Sequence, residues 1–524
     1  MSANRPTPSS SATSSLHDQA VAAYQAGHHD QAQTLADQIL QADSRHTGAM
    51  HLKGLLALAA GNPQRAQQWL DQAIQLRPEP NLYNSLYAVQ LRLGDNAGAI
   101  QSLRNGLALQ PDFAALHYNL ALTLQHLDCP EDAAVSYRRA LELDPGHSAA
   151  HNNLGRIFAD LGVPVQAEHH YRRALELAPA NLIARNNLSM VLLATGRYQQ
   201  AWPYFEDRWA SFRRADGSPA PEPVQAPLPR WSGEGPSGVH AAGRKGVPSE
   251  RLLVLGEQGY GDSLQFVRYL PMALERFAQV GYVCPAPLRR LYEESLCSRW
   301  PGLVLLGAAP AEPGNWDCYC PLMSLPMAFN TQLATIPANT PYLYADKVRA
   351  ASWRTRLDAF PDAHMPRVGV VWAGGHSGIA VDRLRSLTAA QIAPLLALEQ
   401  IRWISLQKTD DPAKLADPAS HARLTDWTAD LADFAETAAL IENLDLVISV
   451  DTSVAHLAAA MDRPVWLLNR FAGCWRWLRE RDDSPWYPSL RLFTQQQRGN
   501  WDDVLTRVGA ALQQRFPHQN SNLF

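Results

Sequence analysis

A loop with three glycines and one carboxylate, GEQGYGDSLQFVRYLP (256–271), follows a short apolar run. Gly256, Gly259 and Gly261 permit tight turns and close backbone approach to a ligand, with Gln258 set among them. Asp262 has two readings. It caps the helix that comes next, or, brought up to a substrate by the glycines, it accepts a proton from an incoming hydroxyl. A second stretch, DTSVAHLAAAMDRPVWLL (451–468), places Asp451 at the end of an apolar run, with Thr452 and Ser453 opening a helix and His456 one turn in. Free N–H groups at such a helix start suit a diphosphate, whereas a lone histidine is either packed or chemical. In a third, WAGGHSGIAVDRLRSLT (372–388), Arg383 and Arg385 either hold phosphate by charge-assisted hydrogen bonds or stand in solvent.

These residues need a scaffold that presents loops side by side. LLVL (252–255) and QVGYVC (279–284) flank a helical stretch, and a second series comes after them: RVGVVWAG (367–374), IRWISLQ (401–407), LDLVISVD (444–451) and RPVWLLN (463–469). Continuous Val/Ile/Leu runs bounded by loops predict parallel strands buried on both faces. The series divide near residues 341–366. The economical expectation is two Rossmann-like domains, 251–345 and 346–524, with ligands beyond the carboxyl ends of their strands.

The residues before them have another period. Prolines at Pro78, Pro111, Pro145 and Pro179 are 33, 34 and 34 residues apart, with Ser44 where a fifth falls. Leu154, Gly155, Phe158, Ala167, Tyr171 and Ala174 reproduce the spacing of Leu120, Ala121, Leu124, Ala133, Tyr137 and Ala140. This pattern resembles the tetratricopeptide repeat, an α-solenoid of helix pairs that presents a concave surface to a peptide or protein segment. About six units are expected over residues 13–211, after a disordered tail at 1–12. Trp202, Tyr204, Phe205 and Trp209 in the sixth imply docking against the α/β region. The Pro/Gly/Ser-rich segment 212–250 reads as a linker without regular structure.

Composition narrows the function classes. A formal charge of -4 over 524 residues gives no basic footprint for nucleic acid. No run reaches the ~20 apolar residues of a membrane span, and the first residues lack the apolar core of a signal peptide, so a cytoplasmic protein is expected. Cys129, Cys284, Cys297, Cys318, Cys320 and Cys474 are scattered, without a zinc-ligand pattern. No metal or bound cofactor is expected. A dinucleotide-dependent oxidoreductase fits poorly, because the first loop lacks G-x-G-x-x-G and Val283-Cys284-Pro285 stands where an acidic ribose ligand belongs.

DTSVAHLAAAMDRP together with GYGDSLQ resembles the heptosyltransferase-type (family 9-like) glycosyltransferases of the two-Rossmann GT-B class. The chain is similar, more closely, to a bacterial group that fuses tetratricopeptide repeats to such a domain, through GEQGYGDSLQFVRYLP, PLMSLP, DLADFAETAALIENLDLVISVDTSVAHLAAA and WRWLRERDDSPWYPSLRLF. The resemblance implies a multidomain α plus α/β protein that moves a sugar from a nucleotide-sugar to an acceptor, metal-independently and with inversion. Asp262 falls at the position of the proposed general base, Arg385 (or Arg383) at that of a cation facing the donor diphosphate, and Asp451, Thr452, Ser453 and His456 at the donor motif. Gln258, Gln407, Lys408, Glu436 and Thr437 lie in family-like stretches. Where the group has Asp-Trp-Arg-Trp, this chain has Cys474-Trp475-Arg476-Trp477. Trp475, Trp477, Trp486 and Tyr487 either stack on the substrate or pack in a core. The layout resembles that of the eukaryotic O-linked N-acetylglucosamine enzymes, which implies a protein or peptide acceptor chosen by the repeats; flagellin or another surface protein is such an acceptor by analogy. The alternative is a non-catalytic scaffold built on a degenerate glycosyltransferase fold.

Overall fold

A computed structural model describes residues 10–211, 225–234, 250–309, 312, 314–375, 380–408 and 424–517. Residues 1–9 of the expected tail (1–12), and 212–224 and 235–249 of the expected linker, lie outside them; residues 10–12, expected in the tail, belong to the first helix. The chain forms two compact units, Met1–Ala180 and Asn181–Phe524.

The first unit holds five helix pairs: α1 (Ser10–Gln25) and α2 (His29–Ala42), α3 (Thr47–Ala59) and α4 (Pro63–Leu76), α5 (Pro80–Arg92) and α6 (Asn96–Leu109), α7 (Ala114–His126) and α8 (Pro130–Leu143), α9 (Ser148–Asp160) and α10 (Pro164–Leu177). Local chemistry sets their ends. Asn62 and Asp95 accept the N–H groups of Arg65 at 3.0 Å and Gly98 at 2.8 Å, while proline occupies the first turn of α8 and α10, where no N–H is needed. The turn inside each pair needs a left-handed residue, supplied by Gly27, Gly61, Gly94 and Gly162 at φ of 76–78° and, in the fourth pair, by Asp128 at φ 62°. Small residues let the paired helices approach: a Cβ on Gly155 would lie 2.8 Å from the Tyr171 ring and 3.1 Å from the Ala167 carbonyl oxygen.

The second unit opens with α11 (Leu182–Ala194) and α12 (Tyr198–Phe205), the sixth pair, and a single 3-10 turn at Arg208–Ser211. Two parallel sheets come next. The first has the order β3-β2-β1-β4, from β1 (Arg251–Leu255), β2 (Gln279–Val283), β3 (Leu303–Leu306) and β4 (Cys318–Pro321). The second has the order β10-β9-β8-β5-β6-β7, from β5 (Arg367–Val371), β6 (Arg402–Ser405), β7 (Leu424–Asp426), β8 (Leu446–Val450), β9 (Val465–Asn469) and β10 (Leu490–Thr494). In each, the earliest strand lies inside and the order reverses beside it, the doubly wound arrangement that opens a crevice at the strands' carboxyl ends. The helices are α13 (Tyr260–Phe266), α14 (Leu270–Leu274), α15 (Ala286–Tyr292), α16 (Leu325–Ala328), α17 (Lys347–Asp358), α18 (Ala380–Arg385), α19 (Ala389–Leu396), α20 (Phe434–Ile441), α21 (Ser453–Ala460) and α22 (Asp502–Arg515).

The sixth pair is built into this unit, as its aromatics imply. Trp202 Nε1 donates to the Thr331 carbonyl at 2.7 Å, and Trp486 Nε1 to the Tyr198 hydroxyl at 3.1 Å. Tyr198, Trp202 and Phe205 pack against Trp475 at 5.9–6.2 Å between ring centroids. Part of the expected linker is ordered: Trp231 is buried, and the segment pairs with β4 through Trp231 N–H to Tyr319 O at 2.8 Å and Tyr319 N–H to Pro229 O at 2.9 Å. An edge strand with unpaired groups and an apolar anchor is enough to order such a stretch. The six cysteines are free thiols, and Cys318 and Cys320, two residues apart, lie on one face of β4. Among the described residues no helix is long and apolar enough to cross a membrane.

Candidate active site

The glycine loop leaves β1 at its carboxyl end. Gly256 passes so close to the Val283 carbonyl that a Cβ would collide, and Gln258 takes a positive φ of 59°. Glu257 turns inward, where Arg208 grips it with two bonds of 2.7 and 2.9 Å and Met323 N–H adds a third at 2.9 Å. The loop is thereby fixed to both the turn after the last repeat helix and the end of β4. Asp262 then emerges in the first turn of α13. Its Oδ2 accepts the Gly259 N–H at 3.1 Å, the expected cap, and its Oδ1 pairs with Arg476. The side chain keeps 21% exposure, so an acceptor can reach it.

The second loop comes from the other sheet. Asp451 follows β8, Thr452 precedes α21, and Ser453 begins it. Arg385 Nη1 donates to the Asp451 carbonyl at 2.7 Å, and its Nη2 pairs with Asp382 at 2.9 Å. His456 is 4% exposed, with Nδ1 2.9 Å from the Tyr487 hydroxyl, its ring stacked on Trp477 at 5.3 Å, and Nε2 3.8 Å from Asp451 Oδ1. Burial, reinforced by Arg476, Arg268 and Arg385, holds this imidazole well below its usual range, so it is neutral. The packed reading of the histidine describes its burial and its bond to Tyr487.

The two loops meet. A Cβ on Gly261 would lie 3.0 Å from His456 Cδ2 and 3.6 Å from Ser453 Cα, so α13 approaches α21 closely at a residue without a side chain. Arg476 sits between them. Burial works against its charge, but Cys474, Asp262 and Asp451 outweigh that cost and raise its pKa. Asp262, Asp451, Ser453, His456, Arg385 and Arg476 thus share one polar locus. The other sequence candidates are held in contacts of their own. Gln407 is buried and accepts the Trp372 and Ala373 N–H groups at 3.1 and 2.8 Å, supporting the third loop from below. Lys408 donates to the Leu431 carbonyl at 2.6 Å. Glu436 binds Arg349, Arg290 and Trp353 Nε1, and Thr437 the Asp433 carbonyl. The Arg383 side chain and residues 376–379 of the third loop lie outside the described residues. Trp475, Trp477, Trp486 and Tyr487 are at most 4% exposed and serve as core.

Sequence reasoning did not single out Arg476, Glu257 or Asp382. Arg476 lay within a family-like stretch, but nothing local marks it as the partner of Asp262.

Residues 420–468, which include β7, α20, β8 and α21, match the family described as "Glycosyltransferase family 9 (heptosyltransferase)", and residues 17–79, 112–180 and 164–219 match tetratricopeptide-repeat families. The chain is thus similar to tetratricopeptide repeats over much of its helical part and to a family 9 glycosyltransferase over one stretch of the second sheet. Protein FlbA of Caulobacter vibrioides is 26% identical over 453 residues, covering 82% of this chain; the chain spans 66% of that relative's length. Among solved structures, pilF of Pseudomonas aeruginosa is 16% identical (TM-score 0.33, 38% of this chain, 86% of that one). A tetratricopeptide-repeat protein of Thermus thermophilus is 22% identical (TM-score 0.29, 34% and 99%). MamA from Desulfovibrio magneticus RS-1 is 20% identical (TM-score 0.29, 32% and 96%).

Proposed function

We propose that the protein transfers a sugar from a nucleotide-sugar to a hydroxyl of a protein or peptide acceptor selected by the repeats, in the cytoplasm. The first Rossmann-like domain (251–345) serves as the acceptor side and the second (346–524) as the donor side of a GT-B pair. The acceptor oxygen attacks the anomeric carbon as the bond to the diphosphate breaks with inversion. The hydroxyl proton passes to Asp262, and the leaving charge is met by Arg385 and the N–H groups that open α21. No metal is required, because cations and a helix start supply the stabilisation. The single observation that carries this reading is the contact of Gly261 with Ser453 and His456, which brings the carboxylate loop and the donor-motif helix within reach of one sugar phosphate.

The test combines a nucleotide-sugar panel with Asp262→Asn. Transfer is expected to fall by about 10²–10⁴-fold with donor binding retained, the span attributed to a general base. Unchanged turnover in the variant removes Asp262 from the role. One observation favours a non-catalytic scaffold: both Asp262 oxygens are already engaged, by Gly259 and Arg476. If no nucleotide-sugar is bound, hydrolysed or used, the scaffold reading stands.

A further inference from the structure

Arg476 comes from the segment after β9 and reaches into the first domain. Its Nη2 binds Asp262, its Nε binds Gln265 Oε1, and its Nη1 lies 3.1 Å from Cys474 Sγ. The guanidinium lies over Trp475 at 4.7 Å and Phe266 at 5.7 Å, and the residue is 8% exposed. It is a fixed cation, held in a dry setting where Coulomb interactions are strong. Two features mark the arrangement as incomplete. Gln265 is fully buried, yet its Nε2 has no hydrogen-bond partner among the described residues. Asp262 has one oxygen on Gly259 and the other on Arg476, so both oxygens share their accepting capacity before any acceptor proton arrives. The same cation is also within the electrostatic reach of Asp451, beside the opening of α21.

We propose that Arg476 is a shared cation: in the empty protein it holds Asp262, and the diphosphate of a nucleotide-sugar draws it off, freeing the carboxylate only once the donor is in place. This rests on the glycosyltransferase reading and adds an order to it, donor before acceptor. Arg476 would touch the diphosphate and act on the acceptor only through Asp262. The physical basis is competition. A diphosphate brings at least two negative charges and several acceptor oxygens to a guanidinium that otherwise serves one carboxylate.

Competition has a sign that a structural role lacks. Neutralising Asp262 should release Arg476 and tighten binding of a nucleoside diphosphate. General repulsion between Asp262 and an anion would do the same, but that effect would persist without Arg476. The experiment is therefore a double-mutant cycle on the full chain, with affinities for UDP, GDP, ADP and CDP measured by calorimetry. Asp262→Asn is expected to tighten the best-bound of these about fivefold, and Arg476→Gln to weaken it about tenfold or more, in the range of ordinary coupling energies. In the Arg476→Gln background, Asp262→Asn should change affinity less than about twofold. Arg476→Lys, which keeps the charge without the fork, should retain the sign of the Asp262→Asn effect at reduced size, and serves if Arg476→Gln does not fold. Binding without tightening in Asp262→Asn, or tightening that persists in Arg476→Gln, overturns the shared cation and leaves the glycosyltransferase reading intact. Failure of the unaltered protein to bind any of the four removes both.

Discussion

The fifth and sixth helix pairs share one spacing but are stabilised by different means. In α9–α10, Gly155 admits Tyr171, the buried face is Ala150, Leu154, Ile157, Phe158, Ala167 and Ala174, and ion pairs such as Arg172–Glu168 stay outside. In α11–α12 and the turn after them, Trp202, Phe205 and Arg208 are buried against residues of the α/β region, and Arg208 and Glu257 are each only 1% exposed at their side chains. The division between compact units falls at Ala180 and Asn181, inside the repeat period. A repeat can thus keep its sequence rhythm while its outer surface becomes part of another fold. The glycine loop that carries Asp262 then depends on the last repeat, not only on its own strand.

That dependence yields the largest expected effect. Arg208→Met leaves Glu257 as a buried charge without its guanidinium, which costs about 3–5 kcal/mol, measurable by urea unfolding of the second unit's transition. Adding Glu257→Leu should recover much of the loss, since two apolar groups replace a half-broken pair. Should Arg208→Met cost no more than a substitution in the fifth pair, the contrast between the pairs fails. The matching substitution there is Gly155→Ala. Its methyl meets the Tyr171 ring at 2.8 Å and the Ala167 carbonyl at 3.1 Å, so overpacking costs about 1–3 kcal/mol.

The same contrast explains what the sequence disclosed. The repeats are local: proline spacing and small residues at fixed offsets each report one helix pair, and about six pairs were legible without tertiary knowledge. So were β1, β2, β5, β6, β8 and β9, whose apolar runs are long enough to stand out. The expectation passed over β3, β4, β7 and β10. Cys-Tyr-Cys-Pro and Leu-Thr-Asp are short and polar or end in proline, and they become strands because a neighbour offers its edge. In the site, Asp262 and the Asp451–His456 helix were visible because glycines, hydroxyls and charge cluster within a few residues. Arg476 and Arg208 were not, because their meaning lies in partners 214 and 49 residues away.

A smaller effect is the pH dependence of the first unit. Burial, with His151, His169 and Arg138 nearby, pushes His170 from 6.5 down to about 4, and His151 is lowered as well. Their Nδ1 atoms lie 3.0 Å apart, so one shared proton satisfies both and a second does not fit. Between about 6.5 and 4 the unfolded chain binds more protons than the folded one, so the first unit loses stability as pH falls through that window. A melting temperature lower by about 2–4 °C is expected, a shift that corresponds to ~1 kcal/mol in a unit of this size. His170→Phe should flatten the dependence, and an unchanged slope would show that the pair is not its source.

The smallest effect tests whether repetition by itself signals importance. Arg139–Glu142 on α8 and Arg173–Glu176 on α10 occupy equivalent positions, each at 2.8 Å and each with side chains 44% and 62% exposed. Identical geometry one repeat apart invites the view that the pair stabilises the array. Exposure argues otherwise: water screens the charges, and ordering two long side chains offsets most of the attraction. Arg173→Ala should change unfolding free energy by less than about 0.5 kcal/mol and lose even that in high salt. A cost comparable to Gly155→Ala would mean that surface charge, and not the interlocking of Gly155 with Tyr171, sets the stability of the repeats. The distinction drawn between the fifth pair's core and the sixth pair's buried ion pair would then have to be rebuilt on electrostatics throughout.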